Sequence, residues 1–238
     1  MTLFAALLIV QAPLTAADFF PLKPGVRRIY EVKSEAKLTL IEEVGPKPAS
    51  FDGADAIPVL SKNAFNQTME TTYYRIDGSE VLMVGFGEMR TVMAERADDK
   101  TIDLTKTTVK KYVLMQMKPP MPVFRFDGKE TAFNYNDVPI VQGESGEAPV
   151  KGDPTALKGT AKLGKERTVL GRKVETLEVK TETQLGDGLL GEKVIETSVY
   201  GRGIGLIEKR VQKTGGGNRK KSDTRTTLVG IEEPKAGS

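Results

Sequence analysis

The sequence predicts an all-β protein, a curved antiparallel sheet with at most one or two short helices, and three observations carry that expectation. Runs of roughly 6–14 residues rich in Val, Ile, Thr, Tyr and Phe alternate with clusters of Gly, Pro, Asn and Asp. Connections such as Asp77-Gly78 and Gly171-Arg172 are short, which pairs neighbouring runs as antiparallel hairpins. Beyond residue 17, no long segment repeats its apolar residues at the helical period.

The chain opens on an exception. Leu3–Val10 is an uncharged apolar run too short to span a bilayer, Pro13 breaks it, and Thr15-Ala16-Ala17 supplies small residues before Asp18. This pattern predicts a signal peptide over residues 1–17, cleaved after Ala17, and a periplasmic or extracellular protein. A buried N-terminal helix is the alternative. Strands are then expected at Arg27–Ser34, Lys37–Glu43, Thr71–Ile76, Glu80–Gly87, Thr101–Met117, Val123–Phe126 and Thr131–Tyr135. Leu157–Val169, Lys173–Thr183, Lys193–Tyr200, Ile204–Thr214 and Ser222–Ile231 complete the set. Pro58 argues that Ala56–Leu60 is an edge strand or a loop. Glu88–Ala97 is the one place downstream where a short helix is expected.

Alternation indicates which faces are wet. Leu177 and Val179 point one way while Thr176, Glu178 and Lys180 point the other, as in an open sheet with one solvated face. Val81-Leu82-Met83-Val84 is apolar on both faces and calls for a cover on each. The Pro- and Gly-rich stretch 136–154 reads as a hinge or a flap inside a single β domain over residues 18–231. Val44–Asp55 is a second long loop, and 232–238 is a frayed tail.

Composition removes whole classes of chemistry. There is no His and no Cys, so no Ser-His-Asp triad, no Cys-His pair, no ordinary zinc or haem site and no disulfide is possible. Lys and Arg number 35 against 32 Asp and Glu, a net charge of +3 that is small for a nucleic-acid binder. The basic run Arg219-Lys220-Lys221 follows three glycines and reads as a hairpin tip rather than a polyanion site. No cofactor is expected.

Two segments carry a family resemblance. Phe19-Phe20-Pro21-Leu22 with Gly25 and Tyr30 resembles the opening Tyr-Phe-Pro-Leu-x-x-Gly-x-x-Trp-x-Tyr of a group of exported bacterial β-proteins, with Arg28 where those often carry Trp. Tyr200-Gly201-x-Gly203-Ile204-Gly205-Leu206-Ile207-Glu208-Lys209 resembles their Gly-Val-Gly-Leu-Val strand. The resemblance implies a half-barrel similar to periplasmic lipoprotein carriers of the LolA/LolB type. Independently, Gly201, Gly203 and Gly205 read as a bent strand or as a place where a ligand approaches the backbone.

Seven of the eight methionines lie at or between Met69 and Met121. Unbranched and polarizable, they suit adaptable apolar surfaces, so Met83, Phe86, Tyr112, Met115, Met117, Phe124 and Phe126 are the candidate ligand-binding residues. Ordinary core filling and a soft-metal site at Met115-x-Met117 and Met121 are the alternatives. No catalytic residue is nominated: Asp98-Asp99 reads as a solvated turn, and Ser34-Glu35-Ala36-Lys37 lacks the helix its chemistry would need. Asn66-Gln67-Thr68 is a glycosylation sequon, relevant only in a host that modifies such sites.

The function these features favour is an exported, non-enzymatic protein binding a hydrophobic ligand, lipid or lipoprotein segment on an apolar concave sheet face. A structural or protein-interaction domain of the cell envelope is the second reading, and a carboxylate-based hydrolase the third.

Overall fold

A computed structural model describes residues 13–234 apart from 52, 94–107, 139, 143–149, 152–153, 186–191 and 216–220. One short helix, α1 (Ala16–Phe19), precedes an all-β chain: β1 (Arg27–Lys33), β2 (Lys37–Val44), β3 (Ala49–Phe51), β4 (Ala54–Asn63), β5 (Thr68–Asp77), β6 (Glu80–Met93) and β7 (Thr108–Arg125). There follow β8 (Thr131–Asp137), β9 (Ile140–Gln142), β10 (Val150–Lys151), β11 (Thr155–Leu163), β12 (Arg167–Val169) and β13 (Arg172–Val174). β14 (Thr176–Leu185), β15 (Glu192–Gly201), β16 (Gly205–Gly215) and β17 (Ser222–Glu232) close the chain.

The all-β antiparallel class expected from the sequence is the observed one. The strands run in the order β7-β6-β5-β4-β2-β1-β17-β16-β15-β14-β11-β8, twelve members of one antiparallel sheet that curls until it is nearly a closed barrel. Its two ends, β7 and β8, lie side by side with no ladder joining them among the described residues. The curl brings first and last strands together, with β1 pairing β17 from Arg27↔Glu232 to Lys33↔Arg225.

Alternation divides inside from outside along each strand. In β11, Leu157, Gly159 and Ala161 are buried while Lys158, Thr160 and Lys162 are exposed; the cross-strand partners Phe133 and Tyr135 of β8 are buried with them. The main core is the barrel interior, including Tyr30, Val81, Phe124, Phe126, Leu177, Val179 and Leu206. A smaller cluster lies outside the barrel. There Leu82, Val84 and Ala56 are covered by Phe51 of β3, whose ring sits 4.8 Å from Tyr73. Val81-Leu82-Met83-Val84 is thus apolar on both faces because both are packed.

Three expectations need correcting. β4 is an interior strand, between β2 and β5, although it contains Pro58. The carbonyl of Pro58 accepts from Gly45 N at 2.7 Å. A residue's N–H and C=O project to the same side of a strand, so the missing donor also faces β2, just past the last ladder pair Val44↔Val59. The helix expected at Glu88–Ala97 is absent as far as Met93, because β6 continues in register with β7 to Met93↔Thr108; 94–97 lie outside the described residues. Gly201, Gly203 and Gly205 do not bend a strand but make the β15–β16 turn, with φ of +70° at Gly203 and +94° at Gly205.

Of the expected loops, 44–55 contains β3, and 136–154 contains the end of β8 with the short β9 and β10; its remainder falls largely outside the described residues, as do residues 1–12 of the expected signal. The strand expected from Thr101 is described from Thr108, and runs on through Arg125 to absorb the one expected at Val123–Phe126. Among the described residues, no helix is long and apolar enough to cross a membrane.

Candidate functional site

One end of the barrel is plugged by the last turn of α1 and the residues that follow it. Phe19 is fully buried, and its ring meets Phe126 edge-on at 5.7 Å. Phe20 sits among Tyr74 at 5.0 Å, Tyr200 at 5.9 Å and Phe124 at 6.0 Å. Edge-to-face packing of this kind adds roughly 0.5–1.5 kcal/mol per pair to the burial itself. The plug is fixed to the barrel through its backbone, since Gly203 N donates to Asp18 O at 2.7 Å. Arg28 completes the anchor: Nε donates to Ile204 O and Nη2 to Pro21 O, each at 2.7 Å. A side chain at Gly205 would crowd that guanidinium, with its Cβ 3.0 Å from Nε.

Against the plug lies an interior cavity of about 240 Å³, lined by Phe20, Tyr74, Met83, Met121, Leu157, Tyr200, Leu206 and others. Glu42, Glu196 and Lys209 also face it. A larger hollow of about 560 Å³ exists across β8, β11 and β14, but exposed residues such as Asn134, Lys158 and Lys180 line it, and it is an open groove on the sheet. The interior cavity combines partial enclosure with convergent charged groups and an apolar wall inside the barrel, features of a ligand site.

The polar groups in the barrel form three small sets that act together electrostatically on Lys209. Tyr30 Oη donates to Glu42 Oε2 at 3.1 Å and lies 3.3 Å from Leu206 O. Ser198 Oγ donates to Glu196 Oε1 at 2.8 Å, and Lys209 Nζ stands 4.0 Å from Glu196 Oε2. Thr72 Oγ1 donates to Glu70 Oε1 at 3.1 Å. Lys209 lies deep in the barrel, yet 35% of its side-chain surface remains open because it borders the hollow. Glu196, followed by Glu42 and Glu70, holds the Lys209 ammonium protonated beyond its ordinary range against the opposing effect of burial. Burial pushes the Glu70 carboxyl up, with Glu88 and Glu42 adding to the shift and Lys209 opposing it. Burial likewise raises the Tyr30, Tyr74 and Tyr200 hydroxyls, and Glu42 adds to the rise at all three.

The residues nominated from sequence are distributed as follows. Met83 lines the cavity. Phe86 pairs across the strands with Thr72 and Met115, so Phe86 and Met115 share the face of Thr72 and Glu70. Phe124 and Phe126 are wholly buried, as wall and floor of the aromatic plug. Met117 is buried, and it is not among the residues bordering the cavity. The side chain of Tyr112 lies outside what is described, as do Asp98 and Asp99.

The charged members were missed, and the interior is accordingly not the purely apolar concave surface expected. Glu42, Glu196 and Lys209 sit on three different strands, and each reads locally as a solvent-side residue. Alternation from Leu40 could have placed Glu42 inside. Lys209 could not be placed that way. The register slips between Val199 and Tyr200, so that Leu206 pairs Tyr200 while Glu208 pairs Val199, and Ile207 is left over. That bulge puts Leu206 and Lys209 on the same face although they are three apart.

No protein-family model matches the chain, and no curated protein matches it. Among solved structures it is similar to a putative lipoprotein from Parabacteroides distasonis, with 8% identity over 90% of this chain and 98% of that one and a TM-score of 0.41. It is similar also to a putative exported protein with YmcC-like fold from Bacteroides fragilis, with 10% identity over 90% and 99% of the two chains and a TM-score of 0.40.

Proposed function

We propose that the chain is an exported, non-enzymatic binding protein of the cell envelope whose barrel holds a small amphipathic ligand. The interior cavity carries this reading. Its wall is apolar at Met83, Met121, Leu157 and Leu206, and its polar groups converge at Glu42, Glu196 and Lys209. At about 240 Å³ it falls below the roughly 300–1,000 Å³ of sites for drug-sized ligands, so it takes a short tail or one head group rather than a whole lipid. A tail of about six carbons contributes ~5 kcal/mol at about 0.8 kcal/mol per methylene, close to millimolar binding on its own. The polar groups must supply the rest. Export follows from the apolar run Leu3–Val10 and the small residues before Asp18. The half-barrel carriers that the two end motifs resemble also work outside the cytoplasm.

Native mass spectrometry of gently purified protein tests the binding. A ligand released by organic extraction, and lost from a Met83→Trp variant that fills the cavity, is the expected result. A bare chain mass under every mild condition, with an empty extract, overturns the proposal.

A further inference from the structure

Given that the barrel is a carrier, the reading on which any choice of head group rests, charge and rings specify the ligand of the interior cavity more closely than size does. Three aromatic side chains, Phe20, Tyr74 and Tyr200, line the hollow, with the Phe20 ring against both tyrosine rings. Two carboxylates, Glu42 and Glu196, line it as well. Two cations, Arg28 and Lys209, stand against these two acids in the lining, so any excess of negative charge comes from the acids behind it. Arg28 has its Nε and Nη2 donors on the Ile204 and Pro21 carbonyls, where it holds the plug. Lys209 stands 4.0 Å from Glu196, at the outer limit of ion-pair contact. Behind the lining, Glu70 faces Glu88 across β5 and β6, which adds further negative charge to the same interior.

The field this makes is negative, and the protein's own groups register it. Lys209 is held protonated by Glu196, Glu42 and Glu70, and Glu42 adds to the effect of burial against ionisation of Tyr30, Tyr74 and Tyr200, with Arg28 opposing it at Tyr30. A carboxylate or phosphate head would enter against four glutamates offset by only two cations, Arg28 and Lys209. An organic cation would meet carboxylates together with aromatic rings, and ring quadrupoles favour cations. We infer that the cavity selects an amphiphile with an ammonium head, primary or quaternary, the head lying among Phe20, Tyr74, Tyr200, Glu42 and Glu196 and the short tail running along Met83 and Leu157.

Calorimetric titration of the purified protein with hexyltrimethylammonium, hexanoate and hexanol, whose tails match the length the cavity holds, tests this. The ammonium compound is expected to bind at least roughly tenfold more tightly than the other two, the size of preference a desolvated cation–π contact supplies. Glu196→Gln and Glu42→Gln, each checked for an unchanged circular dichroism spectrum, are expected to erase most of that preference while sparing hexanol. Equal or tighter binding of hexanoate or hexanol overturns the cation inference and leaves the carrier reading standing. If none of the three binds, the carrier reading falls as well. The head-group series needs no variant, so misfolding of either substitution does not leave the question open.

Discussion

The ring of Phe133 occupies the space a side chain at Gly159 would need. The two are cross-strand partners on β8 and β11, and a Cβ at 159 would lie 2.2 Å from Cζ of the ring, far inside van der Waals contact. Gly159→Ala therefore displaces Phe133 from the barrel wall and is expected to cost about 1–3 kcal/mol, as overpacking does. Urea unfolding measures it. In a Phe133→Leu background the same substitution should cost much less; equal costs in the two backgrounds would show that the ring is not what resists it.

Arg28 works as a buried two-pronged donor. Replacing it by Met keeps the apolar stem but leaves the carbonyls of Ile204 and Pro21 unpaired beside the plug. The expected loss is about 2–4 kcal/mol, from hydrogen bonds of roughly 1.5–3 kcal/mol each made by a charged donor, offset by a charge no longer buried. Arg28→Lys should recover little, since one ammonium cannot reproduce the fork of a guanidinium. Full recovery by Lys in thermal unfolding would refute the two-pronged role.

Burial raises the Glu70 carboxyl above its ordinary value of 4.5. The native state then holds a proton that the unfolded chain has released, so stability falls as pH rises from 4.5 through the native value. Glu70→Gln removes that contribution. Its urea-derived stability should decline less steeply than wild type as pH rises from 4.5 towards neutrality; parallel curves would exclude Glu70 as the source.

Export predicts a mature chain beginning at Asp18. N-terminal sequencing of protein recovered from the periplasm or medium should read Asp-Phe-Phe-Pro, and a chain beginning at Met1 would sink the assignment. Cleavage there removes Ala16, which is fully buried, and the Thr15 N–H and hydroxyl that hold the Asp18 carboxyl below its ordinary range. It leaves both plug residues, Phe19 and Phe20, in place.

The sheet was legible wherever alternation, β-branched residues and turn chemistry agreed. β8 and β17 fall within two residues of their expected bounds because Phe133 and Tyr135, or Thr226 and Leu228, alternate with exposed neighbours. Pro58 misled because whether a proline breaks a ladder depends on which side its nitrogen faces, a property of the partner strand and not of the local sequence. In the site, Met83 stood out by type, whereas Glu42, Glu196 and Lys209 resembled surface charges. Only closure of the barrel, and the bulge at Ile207, turn such charges inward.

The junction between β7 and β8 has a mechanical meaning. Eleven of the twelve seams in the barrel wall are stitched by backbone ladders; among the described residues no ladder joins β7 to β8, and the open edge of β7 is paired only with the short β9. Widening the barrel anywhere else means breaking a full ladder of backbone hydrogen bonds, but here only the few that β7 makes to β9 stand in the way. Deuterium should therefore reach the outer amides of β8 first, and a guest too large for the resting hollow finds its least resistant way in along that unzipped line.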